Sequence, residues 1–206
     1  MTSIKVVGFD WGNVLNDYTR HMKAMAEYLG LSVEKFEAAK SGHVRDFHLG
    51  LSEMEFWNRV CSDAGINKPS KPIWYEIAVR TIIINDELFK VVRLLKEKSY
   101  EIAMISNDEL PTRDYIERHI KGTKYDLFDH YVLSTEVGFV KPEPGIFRYT
   151  CEVFGIKPSE LVLVDDNSDN VQGAREFGSK AILHTANNQT IKELSDLLEG
   201  ETSLAS

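Results

Sequence analysis

The spacing of apolar and polar positions divides the chain into three stretches of different rhythm. In the first, Ile4, Val6, Val7 and Phe9 form an apolar run that stops at Asp10, and Gly12-Asn13 turn the chain straight afterwards. A short run of this kind reads as a strand buried on both faces, as in a parallel sheet. In the second, residues 16–84, apolar positions recur at helical spacing only. One helix is expected over 18–29 with Gly30 as its C-cap, and another opens at Ser32, with Lys35 in place of the Glu of a full capping box. Ser52-Glu53-Met54-Glu55 is a capping box for a helix over 53–64, Pro69 and Pro72 punctuate a loop, and Trp74 to Arg80 is helical again.

From Asn85 helices and strands alternate. The pattern predicts an amphipathic helix from Asp86 to Lys98, a strand from Glu101 to Ile105, a helix over 111–120 and a strand from His130 to Leu133. A helix beginning at Pro144 and ending near Gly155 follows, then a strand from Leu161 to Val164. A helix from Ser168 to Phe177 closed by Gly178, a strand over Ala181 to Leu183, a helix from Ile191 to Leu198 and a frayed end complete the chain. This order predicts an α/β fold, a doubly wound parallel sheet. Residues 1–15 and 85–206 form its core, and 16–84 are a helical insertion.

Composition narrows the function classes. With 24 Lys and Arg against 32 Asp and Glu the net charge is −8, which speaks against a broad nucleic-acid or anionic-membrane surface. One local cationic pocket for a small phosphorylated molecule is compatible with it. The two cysteines, Cys61 and Cys151, lie far apart in apolar helical contexts and read as buried hydrophobes, not a disulfide framework or a zinc site. No basic, apolar leader precedes the first strand and no run approaches membrane-spanning length, so a soluble cytoplasmic protein, monomer or homodimer, is expected.

Three predicted strands end in polar residues at one edge of such a sheet: Asp10, Ser106-Asn107 and Asp165-Asp166. Open α/β sheets bind ligands at that edge. Lys141, in the Gly- and Pro-bounded stretch GFVKPEPGIF, is a fourth candidate. Singly, each has a plain reading: Asp10 caps a turn, Ser106 or Asn107 caps a helix, Lys141 is a solvated charge. Together and in this order they are hard to explain as accidents.

The segments FDWGNVL, ISND, the Lys of GFVKPEPGIF, and LVLVDDNSDNVQGAREFG occur in the order of the four motifs of the haloacid dehalogenase superfamily of hydrolases, mostly phosphatases, and the chain resembles that superfamily over residues 1–15 and 85–190. The insertion resembles its small helical cap. The first motif is most similar to sugar-1-phosphate phosphatases reading DxGN. The resemblance implies a Mg²⁺-dependent phosphatase with a Rossmann-like core. It makes Asp10 the nucleophile, passing through an aspartyl phosphate, and Lys141 its catalytic cation. Ser106, Asn107 and Lys141 then bind the phosphoryl group. Asp10, the Gly12 carbonyl and Asp166 hold the metal, with Asp165 and Asn170 behind them. The chemistry agrees, since Mg²⁺ takes hard oxygen ligands and offsets the repulsion between a carboxylate and a phosphate dianion.

One position departs from the superfamily pattern. Most of its phosphatases carry a second Asp two residues after the nucleophile, as general acid and then base, and here that residue is Gly12. Three readings follow. The first is a phosphatase for esters with good leaving groups, a sugar 1-phosphate or acyl phosphate. The second keeps the fold but cleaves C–halogen or C–P bonds, the latter through a Schiff base on Lys40. The third is a phosphate-binding homologue without catalysis. His21, His43 and His48 show no metal-ligand spacing with an acidic partner, and Trp57 and Trp74 are expected to pack the insertion's helices.

Overall fold

The computed structural model describes residues 3–198. In chain order its elements are β1 (Val6–Phe9), β2 (Asn16–Asp17), α1 (Thr19–Tyr28), α2 (Val33–Lys40), α3 (Val44–His48), α4 (Glu53–Ala64), α5 (Trp74–Thr81) and β3 (Ile83–Ile84). There follow α6 (Asp86–Glu97), β4 (Glu101–Ser106), α7 (Leu110–His119), β5 (His130–Leu133), α8 (Ser134–Val137) and α9 (Pro144–Phe154). The last are β6 (Leu161–Asp165), α10 (Ser168–Phe177), β7 (Lys180–Leu183) and α11 (Asn187–Leu197).

Five strands form a parallel sheet in the order β5-β4-β1-β6-β7. The central strand β1 is buried along its whole length. Its residues alternate between two cores. Val7 and Phe9 join Ile102, Met104, Val162 and Val164 on the face covered by α6, α7 and α11, while Val6 joins Ala103, Ile105, Leu161 and Leu163 on the face covered by α9 and α10. Burying a side chain such as Val or Phe contributes about 1.5–3 kcal/mol, so this strand is where the sheet is most strongly specified. Gly8 belongs to that packing, because a Cβ there would lie 2.5 Å from Ile105 Cδ1. Parallel register brings Asp10, Ser106 and Asp165 to one edge.

Helices α1–α5 bury a third, separate cluster that includes Met25, Phe36, Phe47, Phe56, Trp57 and Trp74. Its rings pack closely, Phe47 stacked on Phe56 with centroids 4.0 Å apart and edge-to-face with Trp74 at 5.1 Å. The buried Glu53 carboxylate ties α4 to the start of α5, accepting from the Ile73 and Trp74 backbone N–H groups at 2.6 and 2.8 Å and from Trp57 Nε1 at 2.8 Å. These amides belong to a helix N-terminus, which has no intrahelical acceptor to offer them. Trp57 and Trp74 pack the helices, as expected.

The structure differs from the sequence expectation in several places. Residues 16–84 are not wholly helical, because β2 and β3 pair antiparallel and join the helical layer to the sheet. A two-residue ladder is too short to show a period of two. The short helices α3 and α8 were not expected, α11 begins at Asn187 instead of Ile191, and β1 begins at Val6 instead of Ile4. The expected fraying at the C-terminus falls outside the described residues. Among these no helix is long and apolar enough to cross a membrane.

Candidate active site

Strand β1 ends at Asp10 and the chain enters a wide turn, Trp11–Leu15, with Asn13 at φ 54°. One carboxylate oxygen of Asp10, Oδ1, accepts from the Trp11 amide at 2.7 Å and from Lys141 Nζ at 2.9 Å. Lys141 reaches in from the loop before α9 and is fully buried. Its ammonium also donates to Asp165 Oδ2 at 2.6 Å and to the Ile105 carbonyl at 2.7 Å. An ammonium has three hydrogens, so Lys141 is saturated. Asp165 accepts further from Asn170 Nδ2 at 3.0 Å and from the Asn167 amide at 2.9 Å. Asp166 accepts from Asn13 Nδ2 at 3.0 Å.

Asp10, Asp165 and Asp166 offer carboxylate oxygens that all lie within 4.8 Å of one another. With one lysine among them the cluster carries an excess of negative charge. Burial pushes the Asp10 carboxyl up to about 7; Lys141 opposes this, and the charges of Asp165 and Asp166 add to it. Burial also raises Asp166. Burial works against the charge on Lys141, but Asp10 and Asp165 hold its ammonium above the usual lysine range.

This donor set fits a hard divalent cation. Asp165 is already engaged by Lys141, Asn167 and Asn170, whereas Asp10 Oδ2 and Asp166 Oδ1 accept no hydrogen bond among the described residues. Asp10, Gly12 and Asp166 line the same cavity.

The loop carrying Lys141 is held from two sides. Asn107 Nδ2 donates to the Lys141 carbonyl at 2.8 Å, and the Lys141 amide donates to Asn107 Oδ1 at 2.7 Å. The Asn107 side chain is thereby committed to Lys141, which leaves its backbone amide beside Ser106 for a ligand. On the other side Gly173 of α10 lies against Pro142, where a Cβ would come 2.6 Å from the Pro142 carbonyl oxygen.

Above this floor lies a cavity of about 350 Å³, roofed by residues of the helical layer that include Tyr18, Lys40, Phe47, His48 and Trp74. Glu109, from the turn after β4, is buried in its wall. His48 Nε2 meets Glu109 Oε1 at 3.2 Å, Thr112 Oγ1 donates to Oε2 at 2.5 Å, and Tyr18 OH donates to Oε2 at 3.4 Å. A Cβ at Gly12 would touch only Tyr18 Cγ, at 4.0 Å.

Every residue singled out for the site, Asp10, Gly12, Ser106, Asn107, Lys141, Asp165, Asp166 and Asn170, lies in this one assembly. Lys40 ends α2 and pairs with Glu37 at 3.0 Å, and it does line the cavity. Asp17 lies outside the cavity wall, accepting from the Thr19 amide at the start of α1. Two histidines do find acidic partners, His43 with Asp63 at 2.8 Å and His48 with Glu109 at 3.2 Å. Asn13, Tyr18, His48 and Glu109 went unrecognised in the sequence. Only Glu109 carried a signal, since it follows ISND directly.

A profile of haloacid dehalogenase-like hydrolases matches residues 4–178, so the chain belongs to that family. Rat bifunctional epoxide hydrolase 2 is 29% identical over 114 residues, covering 54% of this chain and 20% of that protein. Pyrophosphatase PpaX of Bacillus mycoides (strain KBAB4) is 29% identical over 98 residues, 47% of this chain and 44% of that protein. (S)-2-haloacid dehalogenase 4A of Burkholderia cepacia is 29% identical over 91 residues, 43% of this chain and 37% of that protein. The chain thus spans less than half the length of each of these curated relatives.

Among solved structures, a predicted HAD-like family hydrolase from Porphyromonas gingivalis superposes with a TM-score of 0.77 at 23% identity, covering 97% of this chain and 100% of that one. A HAD family enzyme from Bacteroides thetaiotaomicron, in complex with magnesium and inorganic phosphate, gives 0.70 at 23%, covering 89% and 96%. At these identities the likeness is one of fold.

Proposed function

We propose that the protein is a Mg²⁺-dependent phosphatase of small phosphorylated metabolites, acting through an aspartyl phosphate on Asp10. The observation that carries this reading is Asp10 itself. One of its oxygens is held by Lys141 and the Trp11 amide, and the other is free at the floor of a cavity beside Asp166. Magnesium and phosphate bound together to a neighbour of the same fold support it, as does a pyrophosphatase among the relatives.

Asp10 Oδ2 attacks phosphorus while Lys141, fixed on Oδ1, keeps the carboxylate oriented and offsets its charge. The Ser106 hydroxyl and the Asn107 amide hold phosphoryl oxygens. Asp10, the Gly12 carbonyl and Asp166 would hold Mg²⁺, which neutralises negative charge between carboxylate and phosphate when bound. Asp165 and Asn170 act behind them by keeping Lys141 in place. The helical roof keeps bulk water from the phosphoryl group. Gly12 has no side chain that can donate a proton, and the first motif resembles that of the DxGN sugar-1-phosphate phosphatases.

A second reading, hydrolysis of a C–halogen bond, draws on the dehalogenase among the relatives. One screen separates them. Wild-type protein with Mg²⁺ should hydrolyse p-nitrophenyl phosphate, acetyl phosphate and sugar 1-phosphates, and Asp10→Asn should lower turnover by at least about 10⁴-fold. Chloride release from 2-chloropropionate without metal would install the second reading. Phosphate binding without turnover of any ester would mean a binding protein.

A further inference from the structure

The site as described has no group at position 12 that can move a proton, yet a partly exposed imidazole paired with a buried carboxylate spans the same cavity. Glu109 comes from the floor and His48 from α3 in the roof, with Nε2 and Oε1 3.2 Å apart. Glu109 is fixed by Thr112 Oγ1 and the Tyr18 hydroxyl, while the Ser134 hydroxyl donates to the His48 carbonyl at 2.7 Å. His48 Nδ1 makes no hydrogen bond to any described residue, and it is not among the buried unpartnered atoms, so it stands open. A carboxylate on one imidazole nitrogen selects the tautomer and leaves the other nitrogen to exchange protons.

We propose that His48, oriented by Glu109, is the proton-transfer residue of this enzyme, taking the part that Gly12 cannot. The proposal rests on the phosphatase reading above. A cavity of about 350 Å³ holds one small metabolite, so a group in its roof faces the leaving portion of an ester whose phosphate sits on the floor. In the first step Asp10 Oδ2 bonds phosphorus, the P–O bond to the leaving group breaks, and the Nδ1 proton of the imidazolium passes to the departing oxygen. In the second, the neutral Nδ1 takes a proton from water as the water oxygen bonds phosphorus. The Asp10–phosphorus bond then breaks, releasing inorganic phosphate and restoring carboxylate and imidazolium.

The other groups on the cavity wall are less suited. Burial and the charge of Glu109 hold the Tyr18 hydroxyl well above the usual tyrosine range, so it is a poor acid. Burial works against Glu109 as a carboxylate, but the hydrogen bond and charge of His48, with Thr112, keep it below the usual range, so it is the partner and not the donor. Lys40 faces the cavity paired to Glu37. The remaining charges on α3 point elsewhere, Arg45 to Glu143 and Asp46 to Arg59.

The test compares His48→Asn with wild type on p-nitrophenyl phosphate, whose leaving group needs no proton, and on β-glycerophosphate, whose leaving group does. On the alkyl ester the variant should lose roughly 10²–10³-fold in kcat/KM, along with the basic limb of its pH profile. On p-nitrophenyl phosphate it should release one equivalent of p-nitrophenol in a burst within about threefold of the wild-type rate, then turn over slowly as phosphoenzyme accumulates. Gly12→Asp in the His48→Asn background should restore alkyl-ester turnover at least about tenfold, which a misfolded variant cannot do. Glu109→Gln, which takes the carboxylate away from His48 Nε2, should lower alkyl-ester turnover while sparing the p-nitrophenyl phosphate burst. Equal losses on both esters with no burst would show that His48 only pins the roof to the floor, and undiminished alkyl-ester turnover would show that the proton comes from elsewhere. Either result overturns the proposal while leaving an active phosphatase. Wild-type protein inert on every phosphate ester would overturn both readings.

Discussion

The floor and the roof of the cavity are built on opposite principles. The floor is a set of charges whose positions follow from parallel strand register. Asp10, Ser106 and Asp165 end neighbouring strands, and one buried lysine binds two of the three carboxylates at 2.6 and 2.9 Å. The roof is a layer of packed aromatic rings whose polar links to the floor include His48 with Glu109, Tyr18 with Glu109, Trp74 with Thr112 and Ser134 with the His48 carbonyl. A floor of this kind fixes the phosphoryl-transfer chemistry, and the aromatic part of the roof can be rebuilt without disturbing it. Phosphoryl transfer and selectivity therefore reside in separable parts of the chain, with His48 the roof residue assigned to the reaction.

The largest effect on stability should come from removing the floor's cation. Lys141→Met leaves Asp10 and Asp165 facing each other in a dry site and strips a donor from the Ile105 carbonyl. Breaking a buried pair from one side costs about 3–5 kcal/mol. Urea unfolding at pH 8 without metal should show that loss, and added Mg²⁺ should recover part of it by binding the folded state. The counterpart in the roof, Lys40→Met, removes an ion pair to a half-exposed Glu37 and should shift stability by no more than about 0.5 kcal/mol. Equal effects from the two lysines would erase the distinction between floor and roof.

The same distinction explains what was legible in the sequence. Each floor residue that ends a strand follows a local rule: an apolar run stops at a polar residue, and the stop marks the ligand-binding edge. Asp10, Ser106 and Asp165-Asp166 were readable in that way, and so was the doubly wound sheet that carries them. Lys141 obeys no such rule and was found through the motif it belongs to. The roof pairings join residues far apart by side chains that no periodicity marks, His48 to Glu109 across 61 positions and Trp74 to Thr112 across 38. The two-residue strands β2 and β3 escaped for the opposite reason, being too short to show a period at all.

A pH measurement probes the seam between the two regions. Asp108 lies beneath it, accepting from the Thr135 amide at 3.0 Å and its hydroxyl at 2.8 Å, next to the Ser134 hydroxyl that reaches His48. Burial pushes its carboxyl up to about 6, against the hydrogen bonds from Thr135. The folded state therefore holds a proton that the unfolded chain, with an ordinary Asp near 3.8, gives up. Stability from this group is complete below about pH 4 and is lost as pH rises to about 6, by up to about 3 kcal/mol. The stability of wild type minus that of Asp108→Asn should fall across that window and be flat above it. A difference that rises with pH would mean that Asp108 is held as a carboxylate.

Two glycines, one against the floor and one below the roof, repeat the contrast. Gly173 lies against Pro142, and the nearest atoms to an added Cβ are Pro142 Cβ and its carbonyl oxygen, both at 2.6 Å. Backbone cannot rotate aside as a side chain can, so Gly173→Ala should push the Lys141 loop away from α10. Overpacking of this sort costs roughly 1–3 kcal/mol. Because Lys141 then sits farther from Asp10, phosphatase turnover should fall more than stability alone accounts for. Gly12 is the opposite case. Its backbone, at φ −67° and ψ 132°, is open to any residue, and an added Cβ meets only Tyr18 at 4.0 Å. Gly12→Ala should be neutral to about 1 kcal/mol stabilising, through a stiffer unfolded chain, in thermal melts of the metal-free protein. If Gly12→Ala destabilised as much as Gly173→Ala, position 12 would be glycine for packing, and the lack of an acid there would follow from the fold; if it does not, position 12 has room for an acid, and its absence is not imposed by packing.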